Sequence, residues 1–155
     1  MTALPTLLYG SEIWAPSKDE VQHLESWQNR CMRYMMGIRY STHGHVSGSE
    51  LRKQCKQQKI ETLLREGRLR WFGHAARMDE ERLPRKMLTA RLGTRHPNGR
   101  TRMNLRQVNT EDLRSIDCQD TYTQEVQDRV SWRKKIKGPS VAELTSLAVR
   151  VDTNP

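Results

Sequence analysis

Apolar residues recur along much of the chain in steps of three and four, the spacing that lays a single stripe along an α-helix. The clearest run is Val21, Leu24, Gln28, Cys31, Met35 and Ile38, which reads as one buried seam. Ser17-Lys-Asp-Glu20 opens it as a capping box: the serine oxygen takes an orphan amide and the glutamate reaches back. Gly37 is placed to end the helix in a left-handed turn. Ahead of it, Leu4, Leu7, Leu8 and Trp14 suggest a short apolar helix with Pro5 in its first turn, and a strand through Thr6–Tyr9 competes with it. Residues 39–48 are rich in turn formers. Ser47 or Ser49 can then cap a short helix that runs through Cys55.

A long helix follows, from about Gln57 to Met78, with Ile60, Leu64, Gly67, Trp71, Ala75 and Met78 as its apolar stripe. Lys59, Arg70 and Arg77 stand 11 and 7 residues apart, so each returns to within about 20° of the last and forms a basic row beside that stripe. Gly67 and Gly73 inside it cost about 1 kcal/mol each relative to alanine, a cost that makes sense where another backbone packs closely. After Leu83-Pro84 a short helix is expected to run to Leu92. Gly93–Arg100 (GTRHPNGR) carries turn chemistry and reads as a linker. One helix with Leu105, Val108, Leu113 and Ile116 follows, and another carries Tyr122, Val126, Val130 and Trp132. Gly138-Pro139 breaks the chain before Ser140-Val-Ala-Glu143, a second capping box, opens a terminal helix to about Val149. The pattern predicts an all-α fold with a helical bundle over 1–92, a basic linker over 93–104, a looser helical segment over 105–137, and a terminal helix and tail over 138–155.

Composition narrows the picture. Leu, Ile, Val and Phe make only 29 of 155 residues, too few for a large apolar enzyme core. No stretch approaches the roughly 18 apolar residues of a membrane span, and the first ten residues lack the basic start and apolar run of a signal peptide. Three widely spaced cysteines argue for a reducing compartment, nuclear or cytoplasmic, and against secretion.

Charge changes it further. The formal balance is +9, and it is not spread evenly. Residues 51–110 hold 16 basic and 5 acidic groups, a balance of +11, while 1–50 and 111–155 each come to −1. Such a field favours a polyanion, either nucleic acid or an anionic membrane face; the plainer alternative is a solvated helical surface. The residues expected to meet phosphate are Lys59, Arg65, Arg68, Arg70, Arg77, Arg85, Lys86, Arg91, Arg95, Arg100, Arg102 and Arg106. Arginine suits the task because its planar fork bonds two oxygens at once. Trp71, on the apolar stripe, reads as core rather than as a base-stacking platform.

Other chemistry finds little footing. Cys31, His43, His45 and Cys55 include a His-x-His pair, but zinc sites pair their ligands at close spacing, and a core thiol with two loop histidines explains these better. Asp79, Glu80 and Glu81 read as a charge-balanced helix end, and Asp112, Asp117, Asp120 and Asp128 as scattered surface groups. Neither a nucleophile elbow nor a Walker loop is present. No metal, cofactor or catalytic residue is expected.

LLYGSEIW (7–14), RCMRYMMGI (30–38), RLRWFGHAARM (68–78) and RLPRKML (82–88) resemble the region that follows the polymerase core in non-LTR retrotransposon reverse transcriptases. NGR (98–100), EDL (111–113) and DRVSWR (128–133) fall in the same order, so the resemblance spans about residues 4–136. Thr101 and Leu105 depart from it, standing where the family usually has Pro and Trp. The family's paired catalytic aspartates lie upstream of the matched region, and its endonuclease domain and zinc knuckle have no counterpart here. The resemblance implies a helical thumb, which grips a template–product duplex by its backbone, in a non-catalytic fragment. DNA, RNA or an RNA–DNA hybrid would be its partner, together with a polymerase palm. The alternatives are a protein-interaction module built on the Val21–Ile38 seam, a relic of a decayed element, and an enzyme in its own right.

Overall fold

The computed structural model describes residues 3–89, 105–118 and 121–137. Among them are nine α-helices, one 3-10 turn at Ser11–Ile13, and no strand, so the fold is all-α. The described residues divide into two compact units: 3–68 with 105–108, and 69–89 with 109–118 and 121–137. The division falls between Arg68 and Leu69, inside a helix. The expected linker at 93–104 and the terminal helix after 138 lie outside the described residues.

In the first unit, helix α1 (Ala3–Leu7) replaces the competing strand. Helix α2 (Lys18–Met35) begins with the expected capping box: the Ser17 hydroxyl accepts from the Glu20 amide at 3.3 Å, and the Glu20 carboxylate accepts from the Ser17 amide at 2.7 Å. It ends at Gly37, whose φ of 65° allows the Gly37 and Ile38 amides to donate to the Tyr34 and Arg33 carbonyls. This closing pair satisfies carbonyls that the helix end would otherwise orphan.

The buried seam of α2 differs from the expected one. Gln28 is buried as expected, but its neighbour toward the C-terminus in the interior is Met32, while Met35 is exposed. An α-helix turns 3.6 residues at a time, so a strict alternation of three and four drifts off its face, and Met32 lies only about 40° from Gln28. Helix α4 (Gly48–Cys55), capped by Ser47 through the Glu50 amide at 3.2 Å, packs against α2. There Arg52 donates to the Asn29 side-chain oxygen at 3.3 Å. Gly48 makes room for Asn29, whose side-chain nitrogen would stand 2.7 Å from a Cβ at that position. Between them the turn-rich stretch holds one short helix, α3 (Tyr40–His43).

Helix α5 (Ile60–Ala76) is buried on more than the one stripe expected of it. Ile60, Leu64 and Ala75 are buried from that stripe, while Gly67, Trp71 and Met78 are only partly covered. Leu69, Phe72, Gly73 and Ala76 are buried from another face. A helix apolar on most sides belongs inside a fold, and the two halves of α5 serve different units.

The core of the second unit gathers Leu69, Phe72 and Ala76 with Leu113, Cys118, Val126, Trp132 and Ile136. Helices α6 (Leu83–Thr89), α7 (Leu105–Arg114), α8 (Tyr122–Glu125) and α9 (Arg129–Lys137) complete the described chain. The single helix expected to carry Tyr122 through Trp132 is broken. The first part ends at Glu125, and Asp128 starts α9, accepting from the Val130 amide at 2.9 Å and the Ser131 hydroxyl at 2.6 Å. Val130 consequently faces outward while Trp132 is buried.

Trp132 also explains Gly73. The indole N–H donates to the Leu69 carbonyl at 3.0 Å, and its ring lies where a Cβ on residue 73 would go. The partner at this glycine is therefore a side chain and not the backbone that the sequence suggested. At Gly67 no close partner exists: the nearest atoms, on Glu12 and Ser11, stand 3.9 Å from an added Cβ.

Candidate nucleic-acid interface

The expected basic residues do not share one fate. In the first unit Lys59 and Arg106 are exposed, Arg65 is half-buried, and Arg68 is buried with only 6% of its surface exposed. Arg68 is thus withdrawn from any external phosphate. A guanidinium in the interior is held by partners there, since an unpaired buried charge would be prohibitive.

In the second unit Arg70 is exposed and Arg85 half-buried. Lys86 meets the Glu81 carboxylate at 2.7 Å, an exposed pair of small net worth that leaves the ammonium able to exchange partners. Arg77 turns inward: one guanidinium nitrogen donates to the Val126 carbonyl at 2.8 Å. It also lies past the last residue of α5, and Lys59 precedes the first, so of the expected helical row of Lys59, Arg70 and Arg77 only Arg70 stands on the helix. Arg91, Arg95, Arg100 and Arg102 lie outside the described residues.

The Arg77 contact places that side chain beside the start of α9. Its pKa is lowered, first by burial and then by the like charges of Arg129 and Arg133. Arg129 and Arg133 were not among the expected site residues, and neither were Lys134 and Lys137, although all four are exposed. Counting charge by thirds hid them, because acidic residues elsewhere in 111–155 balance the sum. Two signals were available: the spacing of 129, 133 and 137, and Asp128 with Ser131 as a helix start.

A second cluster in this unit is neutralised internally. Glu125 accepts from Lys135 at 2.5 Å, from the Thr121 hydroxyl at 2.6 Å, and from the Cys118 thiol at 3.0 Å. The Lys135 bond, then those from Thr121 and Cys118, hold the Glu125 carboxyl down to about 2. The Lys135 ammonium is raised in turn by Cys118 and Glu125, and burial pushes the Cys118 thiol up. These groups build structure rather than a reactive centre: the thiol is kept protonated and wholly buried, the opposite of an activated nucleophile.

The metal candidates are dispersed. Cys31 is half-buried on α2, Cys55 directs its thiol to the Met36 sulfur at 3.2 Å, and the His43 ring lies 2.6 Å from the Thr42 hydroxyl. Among the described residues no three His, Cys, Asp or Glu side chains are grouped to hold a metal ion, and no helix is long and apolar enough to cross a membrane.

The structure does unite two of the segments singled out in the sequence. RLRWFGH supplies Leu69, Phe72 and Gly73, and DRVSWR supplies Asp128 and Trp132, and these meet in the core of the second unit. No family model, curated protein or solved structure matches the chain.

Proposed function

We propose that this chain binds the backbone of nucleic acid without sequence preference, as a non-catalytic helical segment of a non-LTR retrotransposon reverse transcriptase. The observation that carries the reading is the balance of +11 packed into residues 51–110. Exposed Lys59, Arg70 and Lys86 within that block support it. Contacts of this kind give affinity and position but no base readout, which is what a thumb closing on a template–product duplex needs. Its partners would be DNA, RNA or their hybrid, with a polymerase palm beside it, in the nucleus or cytoplasm.

The test is a salt titration of binding to mixed-sequence duplex DNA and RNA–DNA hybrid. Six neutralised phosphates would give a slope of log affinity against log salt near −5 on duplex DNA. Binding that is absent at low ionic strength, or indifferent to salt, refutes the proposal.

A second reading, a helical protein-interaction module, is favoured by one observation. Helix α2 and its end leave Trp27, Tyr34, Met35 and Met36 exposed. A protein monomeric in light scattering that also fails to bind an apolar dye would remove this reading.

A further inference from the structure

We propose that Arg129 and Arg133, with Arg77 behind them and Lys137 beyond, form a phosphodiester-binding site on α9 of the second unit. This rests on the nucleic-acid reading above and places an anchor outside the block of residues that suggested it.

The register comes first. Residues 129, 133 and 137 advance about 40° and 6 Å at each step along a helix, so their cations line a gently turning ridge. All three are exposed. The steps are comparable with the spacing of successive phosphates along one strand.

The two carboxylates that precede α9 most closely in the sequence are each hydrogen-bonded to other groups. Asp128 caps α9 through the Val130 amide and the Ser131 hydroxyl. Glu125 is occupied by Lys135, Thr121 and Cys118. The Arg77 guanidinium donates to the Val126 carbonyl, which fixes it next to this ridge without neutralising it. Among the described residues Arg129, Arg133 and Lys137 make no ion pair or side-chain hydrogen bond.

The plainer explanation is that basic residues complement the negative end of a helix. It accounts for Lys134, Lys135 and Lys137 in the last turn of α9. It does not account for Arg129, which opens the helix, where the macrodipole disfavours a cation. Nor does it account for bringing two more guanidinium groups toward Arg77, whose own charge is disfavoured there. Keeping these like charges together is a local violation that a polyanion would relieve, and such violations concentrate at functional sites. Bidentate guanidinium–phosphate bonding supplies the recognition.

The experiment compares the full chain with the double variant Arg129→Gln/Arg133→Gln and a charge-matched control, Lys18→Gln/Arg39→Gln. The probe is fluorescein-labelled duplex DNA of mixed sequence, followed by anisotropy across a salt series. All four residues are exposed, so far-UV circular dichroism should show the fold of each variant unchanged. Losing two phosphate contacts should flatten the salt slope by about 1.8, which amounts to a roughly 60-fold weaker affinity at 0.1 M salt if binding at 1 M is unaltered. The control should keep the parental slope, and Arg129→Lys/Arg133→Lys should restore most of it. If the parent binds and the α9 variant matches either the parent or the control, the site is refuted while the general reading stands. A parent that does not bind overturns both.

Discussion

Alanine substitutions at the two glycines of the 17-residue helix α5, Gly67 and Gly73, should change stability with opposite signs. Gly67→Ala meets nothing nearer than 3.9 Å, so it should realise the ordinary preference of a helix for alanine and stabilise the protein by about 0.5–1 kcal/mol. Gly73→Ala gains the same preference but drives its methyl into Trp132, to 2.7 Å from Cδ1 and 3.0 Å from Cε2. Neither side gives easily: the ring is 2% exposed, lies against Phe72 at 6.5 Å between centroids, and is tied to the Leu69 carbonyl. Overpacking of this kind costs about 1–3 kcal/mol. Pulling the indole off its acceptor adds about 1 kcal/mol or more. The helix preference offsets part of this, leaving Gly73→Ala destabilised by about 1–3 kcal/mol. Urea titrations followed by tryptophan emission and far-UV circular dichroism read both variants. In a Trp132→Phe background, which removes the N–H and narrows the ring, the Gly73→Ala penalty should shrink by about 1 kcal/mol or more. A Gly73→Ala protein as stable as the parent, or a penalty unchanged by Trp132→Phe, would refute the steric explanation.

Three further outcomes follow from the described geometry. Lys56 and Asp117 hold left-handed backbone, at φ of 51° and 52°, in turns that close α4 and α7, so Lys56→Gly and Asp117→Gly should each stabilise the protein by about 1 kcal/mol, seen as a higher urea midpoint. Glu125 is held near 2 in the native state against an ordinary 4.5, so its contribution is complete above about pH 4.5 and is lost as pH falls toward 2. Glu125→Gln should therefore lower the thermal midpoint at pH 7 and converge on the parent in acid; equal offsets at both pH values would contradict this. Native alkylation with iodoacetamide should modify Cys31 and Cys55, which are partly exposed, well before the buried and thiol-stabilised Cys118. Mass spectrometry showing Cys118 labelled as fast as the others would speak against its burial.

Local signals were the legible part of this sequence. The capping box at Ser17, the serine cap at Ser47 and the glycine stop at Gly37 depend on a few neighbouring residues, and each stands where the pattern put it. What depended on distant partners was harder to read. Met32 and the second buried face of α5 follow from which elements cover those helices, and periodicity alone says nothing of that. The partner of Gly73 lies 59 positions further along the chain, at Trp132, beyond any local window. The break at Asp128 was readable, but the apolar residues on both sides of it suggested continuity. For the candidate interface, counting charge found where cations are dense. It could not say that Arg68 is withdrawn, that Arg77 is bonded, or that the like charges of Arg129 and Arg133 bear on it.

The Trp132–Leu69 bond joins positions 63 residues apart, and that separation bears on how the protein is made. Translation at about 5–20 residues per second would leave the C-terminal half of α5 waiting roughly 3 to 13 seconds for its indole to be synthesised. During that interval Leu69, Phe72 and Ala76 lack the side chains that cover them in the finished unit. Closing so long a loop also carries an entropic cost of about 4 kcal/mol on the logarithmic scaling. The second unit is therefore slow to complete and sticky until it does, and a nascent chain stalled before Trp132 is the form of this protein most exposed to chaperones and to aggregation.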